Sequence, residues 1–296
     1  MRICVIFNPV AKGDKARRFR RQLDTIRAGS ALKLTTAPGA ARSLAGEAVR
    51  EGFDTVVAAG GDGTLNEVLN GIGDEPGGFD RARLGVLPLG TVNVFAKELG
   101  IPARLDEAWE TVQRGNETAI DLPSVEYGAT GATQRRHFAQ LAGAGLDARA
   151  IELVRWRLKK CIGPLAYILA GINALRKAPS QITVASGATS VSGELILIGN
   201  GRFYGGPFAI FPRADLRDGL FEVCVFPRTN WLTVAWCGPR LLTRRTLPPK
   251  AVRSFQAESF ALASSSPTPL EVDGELIGYL PARFSLERRK LRVIVP

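Results

Sequence analysis

Residues 54–72 read DTVVAAGGDGTLNEVLNGI, an apolar strand-like segment that runs straight into Gly60-Gly61-Asp62-Gly63-Thr64 and then into a helical pattern. Few folds accommodate that order. Leu65, Val68, Leu69 and Ile72 recur at i, i+3, i+4 and i+7, which places one apolar stripe on a helix. Thr64 and Glu67 have capping-box spacing and predict that the helix starts at Thr64. The unpaired N–H groups of its first turn then face back toward residues 60–63, where the positive end of the helix dipole favours an anion. With no side chains in the way, a phosphate can approach this backbone. A plain strand-to-helix turn is the alternative, and the full cluster around Asp62 favours phosphate over it. No Gly-Lys-Ser/Thr ends the run, so it is not a Walker A loop. Asn66 stands where GxGxxG requires its third glycine. A carboxylate among phosphate-binding amides makes sense if it handles a metal, a ribose hydroxyl or a proton. Magnesium bridging Asp62 and phosphate oxygens is one such arrangement.

The same alternation extends on both sides. RICVIFN (2–8), LKLTT (32–36) and RLGVLPLG (83–90) read as further strands, and residues 15–27, 40–51 and 105–114 as helices. Strands separated by helices of this length argue for a parallel sheet covered on both faces. Ligands bind such sheets at the C-terminal strand ends, where Asn8-Pro9 and Gly60-Gly61 fall. Beyond Leu122 the texture changes to short β-type segments, among them SVEYG (124–128), RRHFAQLA (135–142), GELILIGN (193–200), GLFEVCVF (219–226) and ARFSLE (282–287). That pattern predicts an antiparallel β domain interrupted by helical regions at 148–176 and 230–242. The expected boundary lies at residues 121–123, giving domains 1–122 and 123–296, with the last strand, 291–295, free to return to the first.

Three further stretches carry polar turn chemistry after a strand: NPVAKG (8–13), PLGTVNVFAKELGIP (88–102) and EVDGE (271–275). Singly, each reads as turn chemistry, and DGE is a natural hairpin turn. Together with GGDGTLNEVLNG (60–71), GAGLDA (143–148) and PRADLRDGLFEV (212–223), the ordered set resembles the diacylglycerol kinase catalytic family, which includes bacterial lipid kinases and sphingosine kinases. GGDGT alone is shared with NAD kinases; the later stretches separate the lipid-kinase branch. The resemblance spans nearly the whole chain. It implies a parallel-sheet α/β nucleotide-binding domain followed by a mainly antiparallel β-sandwich, and ATP-dependent phosphate transfer to a lipid hydroxyl such as that of diacylglycerol.

By that similarity Asn8, Thr35, Gly60, Gly61, Asp62, Gly63, Thr64, Asn66, Gly90, Thr91 and Asn93 surround the nucleotide. Glu275 matches the position of the general base, with Asp273 beside it and Asp62 serving catalysis through magnesium. A second, structural magnesium position falls on Asp215, Asp218 and the backbone of Leu220. Phosphoryl transfer is mostly positioning and charge neutralisation, so a cradle, a metal and one base suffice. Val94, where many relatives have Asp, and Ala11-Lys12-Gly13 in the first motif depart from the family pattern and leave the particular lipid open.

A net charge of +11 favours anionic partners, including phosphorylated ligands and acidic membrane surfaces. The segment 149–178, basic and tryptophan-containing at first and apolar later, is expected either to lie on an anionic bilayer or to pack as ordinary helices. No recognition helix or aromatic-and-basic strand pattern supports a nucleic-acid partner. The apolar run 161–175 is interrupted by Gly163, Pro164 and Gly171 and is too short to span a membrane, so a cytoplasmic protein, peripheral on the inner face of the membrane, is expected. A homodimer is left open. Four scattered cysteines and one histidine, His137, offer no zinc-ligand set. The competing functions are a phosphotransferase with a soluble substrate such as NAD, and a non-enzymatic binder of acidic lipid.

Overall fold

The computed structural model describes residues 1–9, 26, 28–128, 133–146, 148, 180–244, 246–248 and 251–296. The helix expected over 15–27 lies outside them except for its end, as do Lys12, Gly13, Cys161 and the segment 149–178. The chain divides into two compact units. One comprises Met1–Leu122, His137–Ala139 and Glu287–Pro296; the other comprises Pro123–Arg136 and Gln140–Leu286.

In the first unit, β1 (Ile3–Phe7), β2 (Ala31–Leu34), β3 (Thr55–Gly60) and β4 (Arg83–Pro88) form a parallel sheet in the order β2-β1-β3-β4. ICVIF and TVVAAG are buried at every position, as strands covered on both faces must be, whereas the edge strand β2 is half-exposed. Val293 of β18 (Ala282–Ile294) pairs in parallel with Leu84, so the last strand lies beside β4. Lys290 Nζ at 2.6 Å from Asp80, and the Arg289 N–H donating to buried Asp121 at 2.8 Å, fix it there. The register sets Phe7 opposite Ala59 and Leu34, and Gly60 opposite Pro88. Asn8, Thr35, Gly61 and Leu89 therefore leave the sheet along one rim.

One local expectation fails. The helix after β3 spans Asp62–Gly73, with extended Gly61 as its N-cap, so it starts two residues before Thr64 and makes no capping box. Glu67 serves a neighbour instead. Its carboxylate accepts the N–H groups of Gly39 (2.9 Å) and Ala41 (3.0 Å) at the start of helix Ala40–Arg50, whose own first turn has no acid. A capping pattern in sequence names a suitable acceptor, and packing decides which donors it meets.

In the second unit, a six-stranded antiparallel sheet runs β14-β13-β10-β7-β16-β17, where β7 is Leu141–Gly145, β10 Leu195–Gly199, β13 Phe221–Phe226, β14 Arg253–Ala257, β16 Pro269–Val272 and β17 Glu275–Tyr279. A second antiparallel set joins residues 282–285 of β18 to β15 (Ser259–Ser264), then β8 (Ile182–Ser186) and β9 (Thr189–Gly193). Phe221 of the first set meets Phe260 of the second edge-on at 5.5 Å, and Phe260 stacks on Phe284 at 5.0 Å. These rings are the seam of the core. RRHFAQLA, expected as one strand, is two. Between β6 (Gln134–His137) and β7, side chains enter the backbone bonding: Asn70 accepts the His137 N–H, and Asp273 accepts the N–H groups of Gln140 and Leu141.

Candidate functional site

The rim of the parallel sheet is built chiefly from backbone. The Asn8 N–H donates to Ala59 O (3.2 Å), the Thr35 N–H to Phe7 O (3.0 Å), and the N–H groups of Leu89 and Gly90 both donate to Gly60 O (2.9 and 3.2 Å). Asn8 Nδ2 reaches Thr64 Oγ1 at 3.5 Å. Two glycines touch across the rim: a methyl group at Gly90 would stand 2.5 Å from the Gly61 Cα and 2.7 Å from Asn93 Oδ1. No residue but glycine fits at Gly90 without moving backbone. The two loops that follow β3 and β4 are thus pressed together, and helix Asp62–Gly73 begins directly after the Gly61 contact. Asp62 and Gly63 are half-buried in the first turn and Thr91 is exposed.

Asn66 and Asn93 serve the frame of this rim. Asn93 has a left-handed backbone (φ 52°), and its amide accepts the Gly90 N–H at 2.9 Å and donates to Gly90 O at 2.7 Å, closing the 90–93 turn on itself. Asn66 is fully buried and donates to the carbonyl of His137 at 3.3 Å. One helical turn on, Asn70 accepts the His137 N–H and donates to its carbonyl, both at 2.9 Å. The pair clamps residues 137–139 into the first unit. Asn70 was not singled out in the sequence; its i,i+4 spacing from Asn66 on the stripe-bearing helix was the available signal.

In the second unit, Asp273 and Gly274 both have positive φ (47° and 82°), the geometry of a two-residue turn joining β16 and β17. Asp273 Oδ1 accepts the N–H groups of Gln140 (3.0 Å) and Leu141 (3.2 Å), and buried Glu271 accepts the Gly274 N–H at 2.8 Å. Glu275, first residue of edge strand β17, is partly exposed, and Arg136 Nη2 donates to its Oε2 at 2.8 Å. Leu276 and Tyr279 on the same strand are exposed apolar side chains. Asp273 thus holds the hairpin in place, and Glu275 presents a carboxylate beside apolar surface.

The loop 212–220 is fixed at its base by Glu222, which is buried and accepts from the Arg213 N–H (2.7 Å) and Nε (3.3 Å). Its two aspartates are exposed: Asp215 accepts the Arg217 N–H at 3.0 Å and Asp218 the Leu220 N–H at 2.8 Å. Among the described residues no three His, Cys, Asp or Glu side chains form a metal-holding group. Two carboxylates and a carbonyl would leave half the sites of an octahedral magnesium ion to water, an open site and not a closed protein cage.

The three described cysteines are free and buried. Desolvation pushes the Cys4 thiol up to about 11 and Cys224 up to about 12, and raises Cys237 as well. They are inert packing groups. No helix among the described residues is long and apolar enough to cross a membrane.

The diacylglycerol kinase catalytic domain model matches residues 2–125, and the model for the YegS C-terminal NAD kinase beta sandwich-like domain matches residues 140–295. Proteins named diacylglycerol kinase from Staphylococcus aureus strains bovine RF122 / ET3-1 and MRSA252 are each 31% identical over 308 aligned residues, covering 99% of this chain and 91% of theirs. The crystal structure of a diacylglycerol kinase from Bacillus anthracis strain Sterne superposes with a TM-score of 0.72 at 18% identity, covering 100% of this chain and 97% of that one. A second solved chain from that organism reaches a TM-score of 0.79 at 21% identity, with the same coverage. The matched catalytic-domain model and the relatives 31% identical over nearly the whole chain define the class, a diacylglycerol kinase-like kinase. The chain belongs to the diacylglycerol kinase family.

Proposed function

We propose that the chain transfers the γ-phosphate of ATP to the hydroxyl of a membrane-derived lipid such as diacylglycerol. The observation that carries the reading is the contact between Gly61 and Gly90, which leaves a side-chain-free rim against the N-terminus of helix Asp62–Gly73. Phosphate oxygens are satisfied there by N–H groups of residues 61–64, with the hydroxyls of Thr64, Thr35 and Thr91 and the amide of Asn8 around them. Asn93 contributes by holding the 90–93 turn in shape, and Asn66 by bonding the His137 carbonyl from the helix that follows the glycines. Asp62 would hold magnesium, which when bound would neutralise charge on the transferred phosphoryl group. Asp215, Asp218 and the Leu220 backbone would be the donors for a second, structural ion.

Glu275 is the proposed general base. A carboxylate bonded by Arg136, on a strand that also exposes Leu276 and Tyr279, supports a base that takes a proton from an alcohol carried on an apolar body. Bond making and breaking then balance simply: the lipid oxygen attacks γ-phosphorus, the bridging oxygen leaves with ADP, and the alcohol proton passes to Glu275. The reading supports a cytoplasmic enzyme working at the membrane face. A second reading, phosphorylation of a soluble substrate such as NAD, draws on the NAD kinase-like description of the matched C-terminal model.

Incubation with γ-labelled ATP and magnesium, using diacylglycerol in mixed micelles and NAD in detergent-free buffer, separates the two. Label in phosphatidic acid is the expected result. Label in NADP alone decides for the second reading, and label in neither across a panel of lipid alcohols defeats the acceptor assignment.

A further inference from the structure

Among the described residues seven large apolar side chains are exposed, and three of them, Trp231 (56%), Leu232 (79%) and Trp236 (52%), lie within six residues of one helix. That helix, Trp231–Arg244, packs its inner face through Cys237 and Leu241 onto the cluster formed by Leu197, Phe211, Cys224 and Phe226. A helix seated in this way normally turns polar residues outward. Here Ala235 and Pro239 are exposed alongside the two tryptophans and Leu232, so the outward face is apolar too. Its start is firmly held. Asn230 Oδ1 accepts the Thr233 N–H at 3.0 Å, and the Thr229 hydroxyl donates to Glu194 at 2.9 Å. The exposed side chains are therefore presented on a fixed element.

The flanking charge selects the occupant. Residues 227–253 contain six Arg or Lys and no Asp or Glu. A second copy brought against this face would set like charges together, whereas an anionic bilayer accepts both the cations and the apolar ridge. Tryptophan, with an apolar ring and an N–H, sits well at the boundary between headgroups and acyl chains. We propose that the outward face of helix Trp231–Arg244 is a docking surface for anionic phospholipid bilayers, with Trp231, Leu232 and Trp236 entering the interface. The proposal deepens the lipid-kinase reading by assigning the face that meets the substrate-bearing membrane, and its test requires no turnover.

The test is sedimentation of the full chain with phosphatidylcholine vesicles, with and without phosphatidylglycerol. Wild-type protein is expected to bind the anionic vesicles more tightly. Leu232→Glu and the double variant Trp231→Ala/Trp236→Ala are each expected to weaken that binding roughly tenfold or more. Leu232→Phe should retain it, and the exposure of these positions keeps thermal unfolding unchanged. Wild-type protein that ignores anionic vesicles, or variants that bind as well as wild type, overturns the assignment. A concentration-dependent dimer in sedimentation velocity that Leu232→Glu dissociates, with vesicle binding intact, overturns it in favour of a homodimer interface. Diacylglycerol phosphorylation in mixed micelles, measured in parallel, is retained in Leu232→Glu if both proposals hold. If micellar activity is missing from wild type while vesicle binding responds to the variants, the acceptor assignment fails and the docking surface stands.

Discussion

The rim of the parallel sheet and the Asp273–Gly274 hairpin carry two kinds of site. At the rim the functional surface is backbone: Gly61 and Gly90 touch, the N–H groups of Asn8, Thr35, Leu89 and Gly90 bond backbone carbonyls, and Asn93 spends its amide on its own turn. At the hairpin the surface is side chain: Asp273 and Glu271 bond backbone N–H groups, and Glu275 is left to face outward against Arg136. A backbone site is spoiled by adding atoms, and a side-chain site by removing charge.

The sharpest probe of that contrast is Glu275→Gln. It keeps the shape of the hairpin and removes the base, so kcat is expected to fall by about 10²–10⁴ with unchanged thermal stability. A variant with near wild-type turnover would remove Glu275 from the chemistry and leave the hairpin a purely structural turn. Gly90→Ala tests the other side by adding one carbon against Gly61. The clash is expected to lower stability by about 1–3 kcal/mol and to weaken nucleotide binding, which calorimetry with an ATP analogue reads directly. An alanine variant that binds nucleotide normally would mean that the loops have slack.

Asn70→Ala touches neither surface. It removes the amide that accepts the His137 N–H and one of the two amides that donate to its carbonyl, at a cost of about 1–3 kcal/mol in chemical denaturation. Loss of nucleotide affinity equal to that of Gly90→Ala would show the clamp and the rim to be one unit. The smallest effect concerns the thiols. In the unfolded chain they ionise near the ordinary 9.0, and in the folded chain Cys4 does so at about 11 and Cys224 at about 12. The folded pKa is raised, so their contribution to stability is complete below pH 9 and is lost as pH climbs toward those values. At pH 8, site-resolved alkylation of Cys4 and Cys224 should be far slower in native than in denatured protein.

Much of the first unit was legible because its signals are local. Continuous apolar runs named β1, β3 and β4, and the stripe from Leu65 to Ile72 named the helix that follows the glycines. The helix Leu105–Arg114 appears at its expected bounds. Capping was misread, since Glu67 finds the start of another helix in space, not in sequence. The break between β6 and β7 was also hidden, because the side chains that enter the backbone bonding there, Asn70 and Asp273, lie 67 and 132 residues away from the backbone they bond.

By itself, then, the sequence determined the alternation of strands and helices from β3 to helix Leu105–Arg114, the glycine rim after β3 and the family, since each rests on periodicity or on short runs of neighbouring residues. Tertiary structure decided what those residues do. It made Asn66 a buried strut and Asn93 a turn-former, assigned Asp273 to anchoring and Glu275 to the surface, and turned Trp231, Leu232 and Trp236 outward. Exposure and partner choice depend on which distant segment packs against each side chain, and no local pattern records that.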